Sequence, residues 1–249
     1  MLNKLLYETP LKAFDYQVIH EDSPDRRGID VAMLYRESKF IPVSFKFFNV
    51  RFPFDTASKT RDILYVKGLI SETDTLHLFV NHWPSRYGGY MATRPKREFV
   101  ARLLRSQADS LISLTINPFI LIMGDFNDEP VDESLAKYLN AKMDTLNFVD
   151  SDLINLMGFI DRDWKTGTSK YQESWNIIDQ IIVSGNFLKK GNPVYIDPNS
   201  IKIYNPGFLL EDDLKHTGKK PFRTYNGFKY IGGFSDHLPV CVDVELITK

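Results

Sequence analysis

The chain reads as an α/β layered domain whose sheet is antiparallel over at least part of its width. Three observations predict this. Apolar runs of strand length alternate along the chain with helical patterns. Two of those runs, 62–70 and 75–82, are separated only by Ser71-Glu72-Thr73-Asp74, a length and composition suited to a hairpin turn. The 249 residues, 43% of them hydrophobic, suffice for one sizeable core. No repeat, low-complexity tract or linker divides them, so residues 1–249 are read as a single domain.

The elements follow in order. Residues 2–8 carry a short helical pattern stopped at Thr9-Pro10, because proline has no amide hydrogen and restricts the residue before it. Strands are expected at Tyr16–His20, 29–35, Ile41–Phe48, 62–70 and Thr75–His82. The strongest helix is 95–114, where Phe99, Leu103, Leu104, Ala108, Leu111 and Ile112 recur at helical spacing and Arg97, Arg102 and Arg105 fall outside the stripe. A buried strand at 119–123 runs into Gly124-Asp125, and Asp132-Glu133-Ser134 opens a short helix. The last strands are expected at 175–183 and 238–246. Between them, 206–234 is too long and polar for a plain connection, and loops of that size tend to be functional. It holds Lys219, Lys220, Arg223, Tyr225, Phe228, Lys229 and Tyr230, basic and aromatic groups that suit a phosphate with an apolar appendage. Arg223 and Tyr225 are taken from it as substrate-binding candidates.

Composition narrows the partners. Lys+Arg 31 against Asp+Glu 32 leaves a net charge of −1, which argues against tight binding to a long polyanionic duplex. The single cysteine, Cys241, rules out an internal disulfide and reads as a small core residue. No stretch is long and apolar enough to span a bilayer, and residues 1–7 show no basic region followed by an apolar block.

Polar clusters at the ends of, or within, apolar runs carry the chemistry. Hydrolysis of a phosphate ester needs an activated water, neutralised phosphoryl charge and help for the leaving oxygen, and a hard divalent metal with oxygen ligands can supply part of each. In Gly124-Asp125-Phe126-Asn127, extended geometry points Asp125 and Asn127 to one face, where a carboxylate can orient water and an amide can donate to a phosphoryl oxygen. Taken alone, the same residues are ordinary turn formers. Asn81-His82-Trp83-Pro84-Ser85-Arg86 ends another strand. His82 is read as an imidazolium that stabilises phosphoryl charge, with Asp30 considered as the acceptor that orients it, and Arg86 as a bidentate phosphate clamp. Asp179 interrupts the run Ile177 to Val183, and a carboxylate there needs a partner. His237, in Ser235-Asp236-His237-Leu238, is the natural one, which leaves Asp236 to face a metal.

Together these residues resemble the endonuclease/exonuclease/phosphatase superfamily, which includes pancreatic-type deoxyribonucleases, apurinic endonucleases, inositol polyphosphate phosphatases and neutral sphingomyelinases. The resemblance rests on Gly-Asp-Phe-Asn after an apolar strand, a strand ending in Asn-His, an Ile-Asp-x-Ile strand and a terminal Ser-Asp-His, in that family's arrangement over essentially the whole chain. Arg27-Gly28-Ile29-Asp30-Val31-Ala32, Asn81 to Arg86, and Lys220-Pro221-Phe222-Arg223-Thr224-Tyr225-Asn226-Gly227 resemble a bacterial subgroup. The resemblance implies a four-layer α/β/β/α sandwich of two mainly antiparallel sheets with the site where their strand ends meet. It implies Asp125 as the water-orienting group, Asn127 as a phosphate contact, Asp179 holding His237, His82 as a second catalytic histidine and Asp236 as a ligand of Mg²⁺ or Mn²⁺. The substrate is expected to be a nucleic acid or a small or lipid phosphoester.

One departure stands out. Family members begin with a strand bearing a metal-site Asn and a strand ending in a metal-binding Glu. Here residues 2–8 resemble the end of the helix that follows that Glu, and Asn3 lies within it. The N-terminal strands are therefore expected to be missing, with weak metal binding, slow turnover and an exposed sheet edge as consequences.

Overall fold

The computed structural model describes residues 2–160 and 166–247. Helix α1 (Leu2–Tyr7) precedes a hairpin of β1 (Tyr16–His20) and β2 (Ala32–Arg36). The central sheet is built from β3 (Ile41–Phe48), β4 (Ile63–Leu69), β5 (Thr75–His82) and β6 (Phe119–Asp125), then the short β7 (Ala141–Lys142) and β8 (Leu153–Asn155). A small hairpin, β9 (Ser169–Tyr171) and β10 (Ser174–Asn176), precedes β11 (Asp179–Ser184), which re-enters the central sheet. The order there is β3-β4-β5-β6-β11-β8-β7. Only β5–β6 and β7–β8 are parallel, so the sheet is mixed and mainly antiparallel. Parallel pairing needs a long crossover, and α2 (Tyr90–Leu114) supplies it between β5 and β6.

Period-two alternation divides the sheet's side chains between two cores. Ile63, Phe79, Ile120, Ile122 and Ile182 face the side covered by Val100, Ala101, Leu104 and Ala108 of α2. Leu64, Val66, Leu78, Leu121, Ile181 and Val183 face the other side, against Ile19 and Val31 and, at its margin, Val240, Val242 and Val244. Strands β4, β5, β6 and β11 are thus apolar on both faces and covered on both, whereas the edge strand β3 leaves Ile41, Val43 and Phe45 exposed.

The α/β class and most elements agree with the sequence; Tyr16–His20, Ile41–Phe48 and Thr75–His82 do so to the residue. The differences have local causes. Helix α2 begins at Tyr90, five residues ahead of Pro95; a proline in the second turn removes a single backbone bond and the helix tolerates it. Arg97, expected on the polar face, is fully buried and pairs with the equally buried Asp128, Nε to Oδ2 at 2.7 Å. The run 175–183 breaks at Ile177 and Ile178, whose groups bond outside a ladder: Ile177 O accepts from Gln180 Nε2, and Ile178 O accepts from Phe126 N. The run 238–246 is no single strand. Only Val240–Cys241 and Glu245–Leu246 pair, with Lys202–Ile203 and Val194–Tyr195 respectively. Cys241 is half-buried. Loop 206–234 folds into two small hairpins, Leu210–Asp212 with Lys219–Pro221 and Tyr225–Asn226 with Lys229–Tyr230. Among the described residues no helix is long and apolar enough to cross a membrane.

Candidate active site

Three adjacent strands deliver three polar residues to one line across the sheet. In the parallel β5–β6 pair His82 stands opposite Asp125, and in the antiparallel β6–β11 pair Asp125 stands opposite Asp179. The neighbouring pair explains the glycine. Gly124 faces Asn81 at a φ of +132°, and a Cβ there would lie 1.9 Å from Asn81 O, so only glycine fits this approach. Asn127 then turns the chain at a left-handed φ of +51°, which asparagine tolerates. Its backbone N donates to Asp125 Oδ1 at 2.7 Å, and Nδ2 donates to Asp125 Oδ2 at 3.0 Å and to Trp83 O at 3.1 Å. These hydrogen bonds tie Asn127 to Asp125 and to the end of the neighbouring strand.

His237 reaches the row from the far end of the chain. Thr168 ties the two segments together: its Oγ1 accepts from Ile178 N and Asp179 N at 3.1 and 3.2 Å, and its carbonyl accepts from Leu238 N at 2.7 Å. Ser169 forms a bridge with His237 itself. The result places His237 Nδ1 2.9 Å from Asp179 Oδ2 and 4.0 Å from Asp125 Oδ2. With Nδ1 donating to Asp179, Nε2 is the nitrogen left to meet a substrate.

On the opposite flank, His82 Nε2 lies 3.4 Å from Asp125 Oδ2. Behind it sits Arg61, 4% exposed, which donates from Nε to His82 O, from Nη2 to Trp83 O and from Nη1 to Asp25 Oδ2 at 3.0 Å. These charges set the protonation states. Burial, together with the positive charges of Arg61 and His237, brings the His82 imidazole down to about 3, so the ring is neutral. That reverses the imidazolium expected for it. Burial also works against charge on His237, but the hydrogen bond and charge of Asp179, with Asp125 and Asp236 beyond, outweigh it and push the ring up to about 9. Of the two histidines, His237 is therefore the charged one. Burial and the neighbouring Asp179 carboxylate push Asp125 up to about 7.

Asp125, Asp179 and His237 each bring one potential ligand atom within 4.8 Å of the others, a group that could hold a metal ion, His237 serving as a ligand only in its deprotonated form. The fit is chemical as well as spatial: two carboxylates held together in a buried place repel each other, and a divalent cation between them offsets that repulsion. A second such group, His20, Asp22 and Asp30, lies nearer the surface. Asp30 belongs to it, accepting from Ser23 N at 2.7 Å and lying 3.3 Å from His20 Nε2, so it is the partner of His20 and the expected pairing with His82 is not formed.

The remaining candidates lie further out. Asp236 is largely exposed, stands outside the acidic group and pairs with Arg223 at 3.5 Å. Tyr225 is exposed and packs edge-on against Tyr230. Arg86 is occupied by the turn after the row: Nε donates to Asn127 O at 2.6 Å and Nη2 to Asp132 Oδ2 at 2.9 Å. It braces that turn through Nε and Nη2. Arg61 and Thr168 were not legible as site residues. Arg61 is one cation among 31 and Thr168 sits in no motif, and both act through contacts that only folding creates.

A model of the Endonuclease/Exonuclease/phosphatase family matches residues 1–246, and the chain belongs to that family. The fold is similar to the human Nocturnin catalytic domain with bound sulfate (TM-score 0.55, 15% identity, covering 95% of this chain and 74% of that one). It is also similar to D. rerio TDP2 complexed with a single-strand DNA product (TM-score 0.55, 13% identity, 97% of this chain and 80% of that one). A third similar structure is a Bacteroides thetaiotaomicron mannosyl-6-phosphatase (TM-score 0.54, 14% identity, 98% of this chain and 81% of that one). At these identities the likeness is one of fold. No curated protein matches the chain in sequence.

Proposed function

We propose that the chain is a divalent-metal-dependent phosphoester hydrolase of phosphodiesterase or endonuclease type. The observation that carries this reading is the row His82, Asp125 and Asp179 at one end of the sheet, with His237 charged against Asp179. Family membership and neighbours named as a phosphatase and as a TDP2–DNA product complex support it. Asp125 and Asp179 would hold the ion with His237 standing protonated beside them, and Asp236 would join the two carboxylates by its position in the family motif. A bound Mg²⁺ or Mn²⁺ neutralises phosphoryl charge and lowers the pKa of bound water. Asp125 takes the proton of the attacking water as its oxygen bonds to phosphorus and the leaving oxygen departs. His237 presents its charge through Nε2 to the phosphoryl oxygens. Neutral His82, Asn127 and Arg61 hold Asp125 and the strand ends in place.

Two other readings rest on specific features. Phe228, fully exposed at the tip of the Tyr225–Tyr230 hairpin, favours a lipid or other apolar phosphate, as in a phospholipase or phosphatase. The exposure of Asp236 and its pairing with Arg223 favour a binding protein without turnover. A substrate panel of plasmid DNA, abasic duplex, a phosphomonoester and sphingomyelin, each with Mg²⁺, Mn²⁺ or EDTA, tests all three. The leading reading predicts metal-dependent cleavage of a phosphodiester. Cleavage of only the monoester or sphingomyelin supports the second reading, and inertness throughout contradicts both hydrolase readings.

A further inference from the structure

Beside the catalytic row lies a cleft of about 640 Å³ that the mechanism above does not use. It adjoins the row through Arg61, which lines the cleft and donates to His82 O and Trp83 O, and through Pro84 and Ser85, which follow them. Its charge is unlike that of the chain as a whole. Arg26, Arg27, Lys59, Arg61 and Lys96 line it against only two carboxylates, Asp25 and Asp55. Both carboxylates are already engaged, Asp25 by Arg61 and Arg27, and Asp55 by Lys96. The cationic excess is therefore not cancelled inside the cleft, in a chain whose net charge is −1. Low-dielectric walls lined by one sign of charge concentrate field on whatever anion enters.

A second observation points to a ligand. Thr60, on the same wall, is 3% exposed, and its Oγ1 has no hydrogen-bond partner. A buried hydroxyl left unpaired is costly, and an acceptor oxygen brought into the cleft would satisfy it. Lys59, next in sequence, is exposed and makes no ion pair among the described residues, so its ammonium is available. On the rim, Tyr87 is 92% exposed and offers an aromatic face to whatever links this anion to the scissile group.

We infer that this cleft binds a second phosphate group of the substrate, so that the chain acts on phosphoesters carrying an additional phosphate beside the one that is cleaved. The inference rests on the phosphoester reading for its substrate class. A small bis-phosphorylated molecule and the backbone of a single-stranded nucleic acid both present that chemistry.

The test compares two chromogenic esters that differ only in the second phosphate: the p-nitrophenyl ester of thymidine monophosphate, and the same ester with a further phosphate on the sugar. Wild-type protein is expected to show a KM about tenfold lower for the second, the scale of one charge-assisted hydrogen bond. Lys59→Glu and Arg26→Ala, which touch no residue of the catalytic row, are expected to remove that preference while leaving turnover of the first ester unchanged. Equal KM values in the wild type, or a preference that survives both substitutions, overturns the inference. Should neither ester be cleaved with Mg²⁺ or Mn²⁺, the hydrolase reading fails and titration calorimetry with thymidine bisphosphate decides this one. Binding about tenfold tighter than thymidine monophosphate, lost in Lys59→Glu, upholds the cleft, and equal affinity overturns it. Competition by a short single-stranded oligothymidylate against thymidine bisphosphate tells which source of the second phosphate the cleft prefers.

Discussion

His237 Nδ1 meets Asp179 Oδ2 at 2.9 Å although 58 residues separate them. The contact depends on Thr168, which binds both the amide of Asp179 and, through its carbonyl, the amide of Leu238. A charged imidazole is thereby fixed beside two carboxylates, with neutral His82 on the far side of Asp125.

Removing the charge of Asp179 tests the source of the His237 charge. In the metal-free protein, Asp179→Asn is expected to drop the His237 pKa from about 9 to near or below its ordinary value, read by NMR of the imidazole. The sign for stability follows. A ring whose folded pKa is raised contributes stability in full below about pH 6.5, its unfolded value, and that contribution is lost as pH rises through about 9. The stability gap between wild type and Asp179→Asn should therefore narrow on going from pH 6 to pH 9, on the order of the ring's own titration. His82, held down to about 3, should show no titration between about pH 5 and 8, the range in which an unperturbed histidine would change charge.

Thr168→Val removes the oxygen that serves two amides at the break before β11. It is expected to cost about 1–3 kcal/mol by denaturant unfolding and to lower kcat more than KM, because it loosens His237 without touching the substrate. An unchanged kcat would show that Thr168 does not position the ring.

Gly124→Ala drives a methyl group into Asn81 O where the backbone φ is +132°. The expected destabilisation is about 2–4 kcal/mol, beyond the usual effect of a surface substitution, measured as a shift in the denaturation midpoint. A neutral outcome would mean that the β5–β6 pair is looser than the row of site residues requires.

Arg97→Met removes the buried cation at Asp128 Oδ2, leaving only Arg86 at 3.4 Å from Oδ1, and is expected to cost about 3 kcal/mol, whereas the double variant Arg97→Met/Asp128→Asn should recover part of that loss. Equal stability of the single and double variants would contradict the pairing.

Sequence patterning displayed the long strands of the central sheet because each is a mainly apolar run bounded by polar turns, Thr75–His82 most clearly; the short strands Ala141–Lys142 and Leu153–Asn155 carry too few residues to show a pattern. It displayed the members of the site as well, since Asp125, Asp179 and His82 each end or interrupt such a run. What it could not display was pairing. Asp30 is as plausible a partner for His82 as for His20 until β1 and β2 fold against each other. The charge states also depend on depth and neighbours: the His82 ring is held neutral by its burial first and by the Arg61 and His237 charges second, and nothing in the residues around either position announces that. The run 238–246 misled for a related reason, as Pro239 and bonds to Thr168 and Ser200 draw its backbone to several partners and leave only two short ladders. Arg97, polar in sequence and fully buried in the fold, shows the same limit on a helix.

The central claim is that Asp125 in this row activates water at a phosphoester. Hydrolysis of bis(p-nitrophenyl) phosphate with Mg²⁺ or Mn²⁺ by wild-type protein and by Asp125→Asn, both confirmed folded by circular dichroism, tests it most directly. The account predicts a loss in kcat of about 10²-fold or more in the variant. A folded Asp125→Asn protein with wild-type activity would contradict it.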